Sequence, residues 1–338
     1  MPLGLLLAGI AVLPGIGALV LRASGQSTSP NSSASAEARA VAYLAREVPA
    51  WRRDHPCYSC HNNGDAARAL VAAIERKHDV RAAIEDTLKW LAEPGRWESN
   101  GGGEGGGDDK RLARIQFAHA TTAAVTASLV GKKALREAAA IVSADQQADG
   151  SWQLDSSDSI GSPATYGTAL ATVFARRTLA AAAPAEMASR IARADRWLSA
   201  VVPNNLPDAA AVLIAYADVP PQRRPSNWNA ALELLAKGQG ADGGWGAYPT
   251  SPAEPFDTAL AILALHELRT KQANAEPIFT STAVDAALVR ARAYLVQQQL
   301  DDGSWQETTR PAGQSSYAQR ISTTAWSLLA LFATGVRP

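Results

Sequence analysis

A short motif that recurs along the chain is the feature that most constrains its fold. Gly-x-Trp occurs at Gly95–Trp97, Gly150–Trp152, Gly243–Trp245 and Gly303–Trp305, and in the last three copies a glutamine and an aspartate precede the glycine. The tryptophans are 55, 93 and 60 residues apart, and the 93-residue interval fits two units with a degenerate copy near residues 202–205. The mean unit is then 52 residues long. Sequence repeats of this length are typical of stacked supersecondary units.

Each unit predicts a helical hairpin. Apolar residues at helical spacing mark a first helix before the motif, at 134–144, 230–237 and 284–297, and a second helix after it, at 165–177, 257–269 and 322–333. Small residues that let helices approach closely mark the second helices, at Thr122-Ala123, Thr168-Ala169, Thr258-Ala259 and Thr324-Ala325. No segment shows sustained β alternation. The expected fold class is all-α, an α/α toroid of about six helical hairpins.

The repeat resembles a known family. Gln-x-x-Asp-Gly-Ser-Trp followed by a Thr-Ala-Leu-Ala helix is similar to the QW repeats of squalene–hopene cyclases and of the wider prenyltransferase and squalene-oxidase repeat group. The resemblance covers about residues 80–338. It implies a toroid in which the second helices line the centre, while the Gln and Trp side chains make structural contacts between helix ends.

The acid motif of the cyclases is incomplete in this chain. The family pattern is Asp-x-Asp-Asp-Thr-Ala, whereas this sequence reads Glu254-Pro255-Phe256-Asp257-Thr258-Ala259. Phe256 stands where the family places its proton donor, and a phenyl ring has no proton to donate. Protein prenyltransferases need an Asp/Cys/His zinc site, and the two cysteines of this chain both belong to another motif. These departures argue against terpene cyclase and prenyltransferase chemistry.

That other motif is Cys57-Tyr58-Ser59-Cys60-His61, which has the C-x-x-C-H pattern of c-type haem attachment. Two thiols three residues apart reach both vinyl groups on one haem edge, and the adjacent imidazole then lies under the iron. A redox disulfide between Cys57 and Cys60 would need a thioredoxin-like βαβ context, which the sequence does not show. A zinc site would need a fourth ligand, and the chain has no second pair of cysteines. We expect covalent haem c on Cys57 and Cys60, with His61 as the proximal iron ligand.

A helix is expected directly after the haem motif, with Asp65 or Asn63 as its N-cap. The sixth iron ligand is less clearly marked. Met187 and the remaining histidines lie in polar or surface-type contexts or too close to His61, whereas His119 lies in the apolar stretch 117–123. His119 is therefore the candidate sixth ligand. Ligation by two histidines implies a lower reduction potential than ligation by histidine and methionine.

The start of the chain predicts export. Residues 2–21 carry no charge, and twenty apolar residues are long enough to cross a bilayer. We expect a membrane anchor or signal peptide at 1–22, a flexible tether at 23–36, a haem-attachment segment at 37–64 and the repeat toroid at 65–338. Residues 34–36 form an A-x-A cleavage candidate. Because haem c is attached outside the cytoplasm, both signals indicate a periplasmic or other extracytoplasmic location, with residues 2–21 as a tether to the membrane.

The balance of positive and negative charge limits the classes of partner. Lys and Arg number 32, as do Asp and Glu, so the chain lacks the basic footprint that nucleic-acid binding requires. The expected partners are a redox protein or an apolar small molecule, together with the membrane at the N-terminus. The sequence predicts electron transfer or redox sensing. A haem-dependent enzyme acting on an apolar or lipid substrate and a non-catalytic binding toroid remain as alternatives.

Overall fold

The computed structural model describes residues 30–55, 58, 63–100, 109–155, 159–271, 279–308, 310 and 316–335. Within them lie twelve α-helices, α1 (Pro30–Asp54), α2 (Asp65–Glu75), α3 (Glu85–Leu91), α4 (Lys110–Thr126), α5 (Lys132–Ala144), α6 (Gly167–Ala182), α7 (Ala188–Ala200), α8 (Leu206–Tyr216), α9 (Trp228–Gly238), α10 (Pro255–Lys271), α11 (Ser281–Gln297) and α12 (Tyr317–Thr334). Short 3₁₀ segments occur at Arg81–Ile84, Pro94–Ser99 and Pro221–Arg223. The described residues form no strand beyond one isolated bridge between Gln239 and Trp245.

The helices form two concentric layers. The even-numbered helices α2, α4, α6, α8, α10 and α12 contact one another in that order, and α12 returns to contact α2. The odd-numbered helices pack outside this ring, and α1 closes the outer layer by contacting α11, α12 and α2. The predicted α/α toroid of six hairpins is therefore confirmed.

Burial patterns explain which helices are inner and which are outer. The inner helix α8 buries every residue except Asp208, as expected for a helix surrounded by others. The outer helix α7 has only Ala194 and Leu198 fully buried, on one face. Alanines such as Ala209, Ala210 and Ala211 keep the inner ring tight because their small side chains allow close approach of neighbouring helices.

Each hairpin runs from an outer helix to an inner one, so the inner helices all begin at one end of the toroid. We call this end the entry end, and the opposite end, where the inner helices stop, the exit end. The Gly-x-Trp turns connect α3 to α4, α5 to α6, α9 to α10 and α11 to α12, and so lie at the entry end. Residues 201–205, the degenerate copy, connect α7 to α8 there.

Tryptophan fixes each turn to its preceding outer helix. The indole Nε1 atoms of Trp152, Trp245 and Trp305 donate to the carbonyl oxygens of Val142, Leu235 and Leu295 at 2.7, 2.9 and 2.7 Å. These carbonyls lie in the last turn of their helices, where few intrahelical donors remain. Trp97 donates instead to the carbonyl of Trp90 at 3.1 Å, seven residues earlier, so the first copy has a shorter turn.

Glutamine joins each turn to the next outer helix. The Gln299 amide donates to the carbonyls of Gly303 and Ala36, both at 2.9 Å, and its oxygen accepts from Arg39. Two other copies repeat this geometry, Gln146 with Arg190 and Arg193 of α7, and Gln239 with Ala287 and Arg290 of α11. Because Ala36 and Arg39 belong to α1, Gln299 links the last outer helix to the first.

A hydroxyl group holds the start of each tryptophan segment. The backbone N–H groups of Trp152, Trp245 and Trp305 donate to the Oγ1 atoms of Thr172, Thr258 and Thr324 at 3.1, 2.9 and 3.2 Å. The predicted small-residue marker Thr168 lies at the start of α6 but does not make this bond. Thr172, one turn further along α6, is the structural equivalent, because the connection before α6 is longer than the one before α10.

The predicted domain bounds differ from the helix bounds near the N-terminus. Residues 1–29, which include the predicted anchor, lie outside the described residues. Helix α1 begins at Pro30, inside the predicted tether 23–36, and continues through the first part of the predicted haem-attachment segment 37–64. In the part of the chain that the structure describes, no helix has both the length and the hydrophobicity that a membrane span requires.

We predict that Gly303→Ala destabilises the fold. Gly303 has φ +91°, and a Cβ atom there would lie 2.5 Å from the carbonyl oxygen of Arg39. The left-handed backbone alone costs about 1–2 kcal/mol for alanine, and the contact with α1 adds to that cost. Urea unfolding followed by circular dichroism measures the change. Gly95→Ala is the matched control, since no atom lies within 4 Å of its added Cβ. Equal unfolding free energies for the two variants would contradict the prediction.

Candidate functional site

A buried carboxylate lies at the entry end. Asp65 is the first residue of α2 and is fully buried. One of its oxygens accepts from the Tyr166 hydroxyl at 2.6 Å, and the other accepts from Trp326 Nε1 at 2.9 Å and from the Ser322 hydroxyl. Arg68, one turn along α2, places Nη1 3.3 Å from the first oxygen. The carboxylate thus ties α2 to α12 and to the turn before α6.

Competing effects set the protonation of Asp65. Burial raises the pKa of its carboxyl group, while the positive charge of Arg68 and the hydrogen bonds from Ser322, Tyr166 and Trp326 act against that rise. Tyr166 stands on a left-handed backbone at φ 52°, and burial next to Asp65 raises the pKa of its phenol. The phenol therefore stays protonated and serves as a donor to Asp65.

Aromatic rings surround this carboxylate. The Trp326 indole contacts Tyr166, Phe174 and Phe256 at centroid distances of 5.9, 5.9 and 5.5 Å. The Arg68 guanidinium lies 4.6 Å from the Trp326 ring centroid and 5.6 Å from that of Phe174. Cation–π contacts of this kind stabilise a partly buried guanidinium, so Arg68 bridges the carboxylate and the aromatic cluster.

The C-x-x-C-H motif lies in the connection between α1 and α2. Cys57, Cys60 and His61 lie outside the described residues, whereas Tyr58, between the two cysteines in sequence, is described. The Tyr58 backbone donates to Asn100 Oδ1 at 2.8 Å and accepts from Asn100 Nδ2 at 2.6 Å. Its ring stacks on Trp90 at 4.6 Å, and the Arg52 guanidinium lies 4.7 Å from its centroid. Tyr58 therefore fixes the centre of the motif against the 3₁₀ segment Pro94–Ser99 and helix α3.

Residues on both sides of the motif are also held. Before it, Trp51 stacks on His55 at 4.0 Å. After it, Asn63 is fully buried and its amide lies 3.4 Å from the Thr87 hydroxyl. Helix α2 begins at Asp65, as expected, but neither Asn63 nor Asp65 caps it. The N-cap is Gly64, and the Asp65 side chain turns into the interior.

His119, the predicted sixth ligand, lies in the toroid interior on α4. Its ring stacks on Phe174 at 4.2 Å, and its Nδ1 atom is buried with no hydrogen-bond partner among the described residues. Burial, together with the charges of Arg68 and Arg177, lowers the pKa of the imidazole well below its usual value. His119 is consequently neutral at pH 7, the form that ligates metals. Its role as an iron ligand stays a prediction.

The remnant of the acid motif forms an ion cluster. Both carboxylate oxygens of Asp257 contact Arg310, at 2.8 and 2.9 Å, and Glu254 lies 3.2 Å from the same guanidinium. Burial raises the pKa of Asp257 to about 6, while Arg310 opposes that rise, so the group is ionised at neutral pH. Arg310 also donates to the Gly161 carbonyl at 3.0 Å. Asp257 thus fixes Arg310, which in turn binds the Gly161 carbonyl.

Asp257 and His119 lie at different depths along the axis of the ring. Asp257 is the third residue of α10, whereas His119 is nine residues into α4, about 14 Å from the start of that helix. Phe256 is fully buried and meets Trp326 edge-on. A phenyl ring therefore fills the place where the cyclase pattern has its central acid.

The Asp65 network was not predicted from the sequence. Asp65 was interpreted as a helix cap, and its partners lie 101 to 261 residues away in sequence. Two features of the sequence could have indicated that these side chains are buried. Asp65 precedes the largely apolar stretch Ala-Ala-Arg-Ala-Leu-Val, and Trp326 interrupts the small-residue face of the last helix. In the described part of the chain, no group of three or more His, Cys, Asp or Glu side chains is placed to hold a metal ion.

Comparisons with known proteins support the fold. No protein-family model matches the chain. An 83-residue stretch is 37% identical to drimenyl diphosphate synthase from Streptomyces showdoensis, and the match covers 25% of this chain but only 14% of that protein. The chain therefore spans a small part of that relative.

Solved structures match over most of the chain. A protein from Actinoplanes has 18% identity and a TM-score of 0.57, with 89% of this chain and 99% of that chain covered. The type II terpene cyclase MstE from Scytonema has 18% identity and a TM-score of 0.51, with 89% and 98% covered. A mutant unsaturated glucuronyl hydrolase from Streptococcus agalactiae has 11% identity and a TM-score of 0.62, with 90% of each chain covered. At these identities the likeness shows the α/α toroid fold alone.

We predict that Asp65→Ala is strongly destabilising. The variant leaves Tyr166, Ser322 and Trp326 without their acceptor and removes the partner of Arg68, which corresponds to about 3–5 kcal/mol for a buried charge network. Denaturant unfolding measures the loss. Asp86→Ala is the control, because the Asp86 side chain is 73% exposed and should change stability by less than about 0.5 kcal/mol. Similar values for the two variants would show that the network does not hold the entry end together.

We also predict that His119 makes stability fall in mild acid. The folded chain holds this imidazole neutral, whereas in the unfolded chain it takes up a proton near pH 6.5. The free energy of unfolding is therefore independent of this group above pH 6.5. Below pH 6.5 it falls by up to about 1.4 kcal/mol per pH unit. His119→Phe keeps the stack on Phe174 and should flatten the dependence between pH 7 and pH 5. The comparison uses protein prepared without haem, and parallel curves for wild type and variant would refute it.

Proposed function

We propose that this chain is an exported c-type haem protein built on an α/α toroid, serving in electron transfer or redox sensing. Cys57 and Cys60 form the thioether bonds, and His61 is the proximal ligand of the iron. The observation that carries the proposal is the motif itself, which takes up both cysteines of the chain and puts a histidine directly after the second.

The described surroundings fit such a group in three respects. Tyr58 is held at both its backbone and its ring, so the two cysteines flank a fixed point. Asn63 and Asp65 are buried directly after the motif, which brings the loop against the interior. The orphaned Nδ1 atom of His119 is a buried nitrogen on a neutral imidazole. Haem c, when bound, supplies one-electron redox chemistry.

The residues of the entry end would tune that chemistry by charge. Asp65 and Arg68 form an ion pair inside an aromatic cluster, so the interior next to the motif carries balanced charges in an environment of low polarity. Aromatic side chains exclude water from this region and thereby strengthen any electrostatic effect on a nearby redox group. If His119 completes the coordination, the potential is lower than with a methionine ligand.

Two alternatives keep the haem and change its use. An enzyme acting on an apolar or lipid substrate would need an open iron position, which binding of carbon monoxide to the reduced protein would reveal. A non-catalytic binding toroid would use the haem only to hold the N-terminal segment, and its melting temperature would then drop when Cys57 is replaced. A six-coordinate spectrum with unchanged melting supports electron transfer.

Cyclisation of a terpenoid is the activity that the local match to drimenyl diphosphate synthase suggests. The geometry argues against it in this chain. Phe256 fills the place of the central acid, and Asp257 is neutralised by a two-pronged ion pair with Arg310. In the aromatic cluster, Trp326 donates to the Asp65 carboxylate and lies against the Arg68 guanidinium.

The location follows from the cofactor. Because haem c is attached outside the cytoplasm, we assign the chain to the periplasm or another extracytoplasmic compartment, with residues 2–21 as tether or signal. The proposed partners are a redox protein or an apolar small molecule.

The test is expression of the full chain together with the c-type haem maturation machinery. Wild type and the control Ser59→Ala, which keeps the motif intact, should gain one haem mass each and retain haem stain on a denaturing gel. The double variant Cys57→Ala/Cys60→Ala should lose both, while keeping the helical circular dichroism spectrum of the toroid. Absence of covalent haem from wild type under conditions that load a known c-type cytochrome would end the proposal.

A further inference from the structure

The exit end of the toroid contains a cavity that the proposed haem function does not use. Its volume is about 760 Å³, within the usual range of small-molecule sites. It is formed where α2, α10 and α12 end, at the opposite end from the C-x-x-C-H motif.

The inner part of the cavity is largely apolar. Ala72 of α2 and Leu329, Phe332 and Ala333 of α12 form its apolar wall. Ala72 precedes the last residue of α2, Glu75, by three residues, which corresponds to about 4–5 Å along the helix. An apolar body of several carbon atoms would be removed from water there.

The outer part of the cavity carries positive charge. Arg76 and Lys77 line it together with the His266 imidazole, and Glu75 is the one carboxylate among the described residues of the lining. The Arg76 guanidinium donates to the Phe332 carbonyl and lies 4.6 Å from the Phe332 ring centroid, so it is held in place at the wall. Lys77 stands at φ 69°, the left-handed position that ends α2.

The floor of the cavity separates it from the entry end. Arg68 lies one helical turn inward from Ala72, and Trp326 lies one turn inward from Leu329. The Arg68 guanidinium packs on the Trp326 ring at 4.6 Å. Arg68 and Trp326 belong to the Asp65 network, so this network lies between the cavity lining and the start of α2.

We propose that this cavity binds an amphiphilic anion. The apolar body lies on Ala72, Leu329 and Phe332, and the anionic head lies at the rim, next to Arg76 and Lys77. A carboxylate or a phosphate on a short hydrocarbon chain has the required chemistry. The site is independent of the haem, because the lining and the motif share no residue.

The test titrates decanoate, below its micelle concentration, into the full chain by calorimetry. Octanoate and hexanoate should bind progressively more weakly, by up to about fourfold for each CH₂ group removed. Decanol, which lacks the charge, should bind at least tenfold more weakly than decanoate, and acetate should not bind. Failure of decanoate to bind, or equal binding of decanol, would overturn the proposal.

Two variants connect binding to this cavity. Lys77→Gly removes a rim charge and places glycine at a left-handed position, so the variant should fold at least as well and bind decanoate at least fivefold more weakly. Ser128→Gly is the matched control: it makes the same type of change at φ 60°, outside the cavity lining, and should bind like wild type. Leu329→Trp fills the interior and should abolish binding. Wild-type affinity in Lys77→Gly would refute the assignment.

The haem and the cavity are tested separately. Decanoate affinity should be the same in protein matured with haem and in the Cys57→Ala/Cys60→Ala variant. Loss of haem attachment with retained decanoate binding would end the proposed function and leave this site in place. Haem attachment without decanoate binding would end the proposal for this cavity and leave the proposed function in place.

Discussion

The bridging glutamine is the interaction on which the ring depends. One side-chain amide binds its own turn and the next outer helix through a carbonyl acceptor and an arginine donor, and it does so at Gln146, Gln239 and Gln299. The contact requires a glycine in the left-handed region, because a Cβ atom at Gly150, Gly243 or Gly303 would meet the backbone of that helix. Gln299 makes the same bond to α1, so the last repeat binds the first helix and closes the outer layer.

Closure of the outer layer explains where helix α1 lies. Helix α1 is a wall of the toroid, and Tyr58, the described residue of the C-x-x-C-H motif, follows it in the chain. Tyr58 contacts Trp90 and Asn100, and Asp65 then binds across the interior to Tyr166 and Trp326. A haem on Cys57 and Cys60 would therefore be attached to the toroid itself, without a cytochrome domain of its own.

The sequence predicted what depends on local spacing and missed what depends on distant partners. The repeat predicted the hairpins, the all-α class and the structural role of Gln and Trp, because turn and helix signals lie within one unit of about 52 residues. It did not predict that α1 completes the ring, since α1 lacks a Gly-x-Trp turn after it. Asp65 was assigned to a cap because its partners come from α12 and the turn before α6, and no local pattern connects them. His119 was singled out by its apolar sequence context, whereas its stacking on Phe174 depends on the packing of α4 against α6 and could not be predicted from that context.

Integration of α1 into the ring is the central claim, and hydrogen exchange of the full chain tests it most directly. Peptides covering residues 36–54 should exchange as slowly as peptides from α11 and α12, because all three helices unfold only when the toroid opens as a whole. Replacement of Gln299 by alanine should speed exchange in residues 36–54 before it does so in α6 or α8. Fast exchange of residues 36–54 in the wild-type protein, with protection confined to the later helices, would show that the first helix is an appendage and that the ring closes without it.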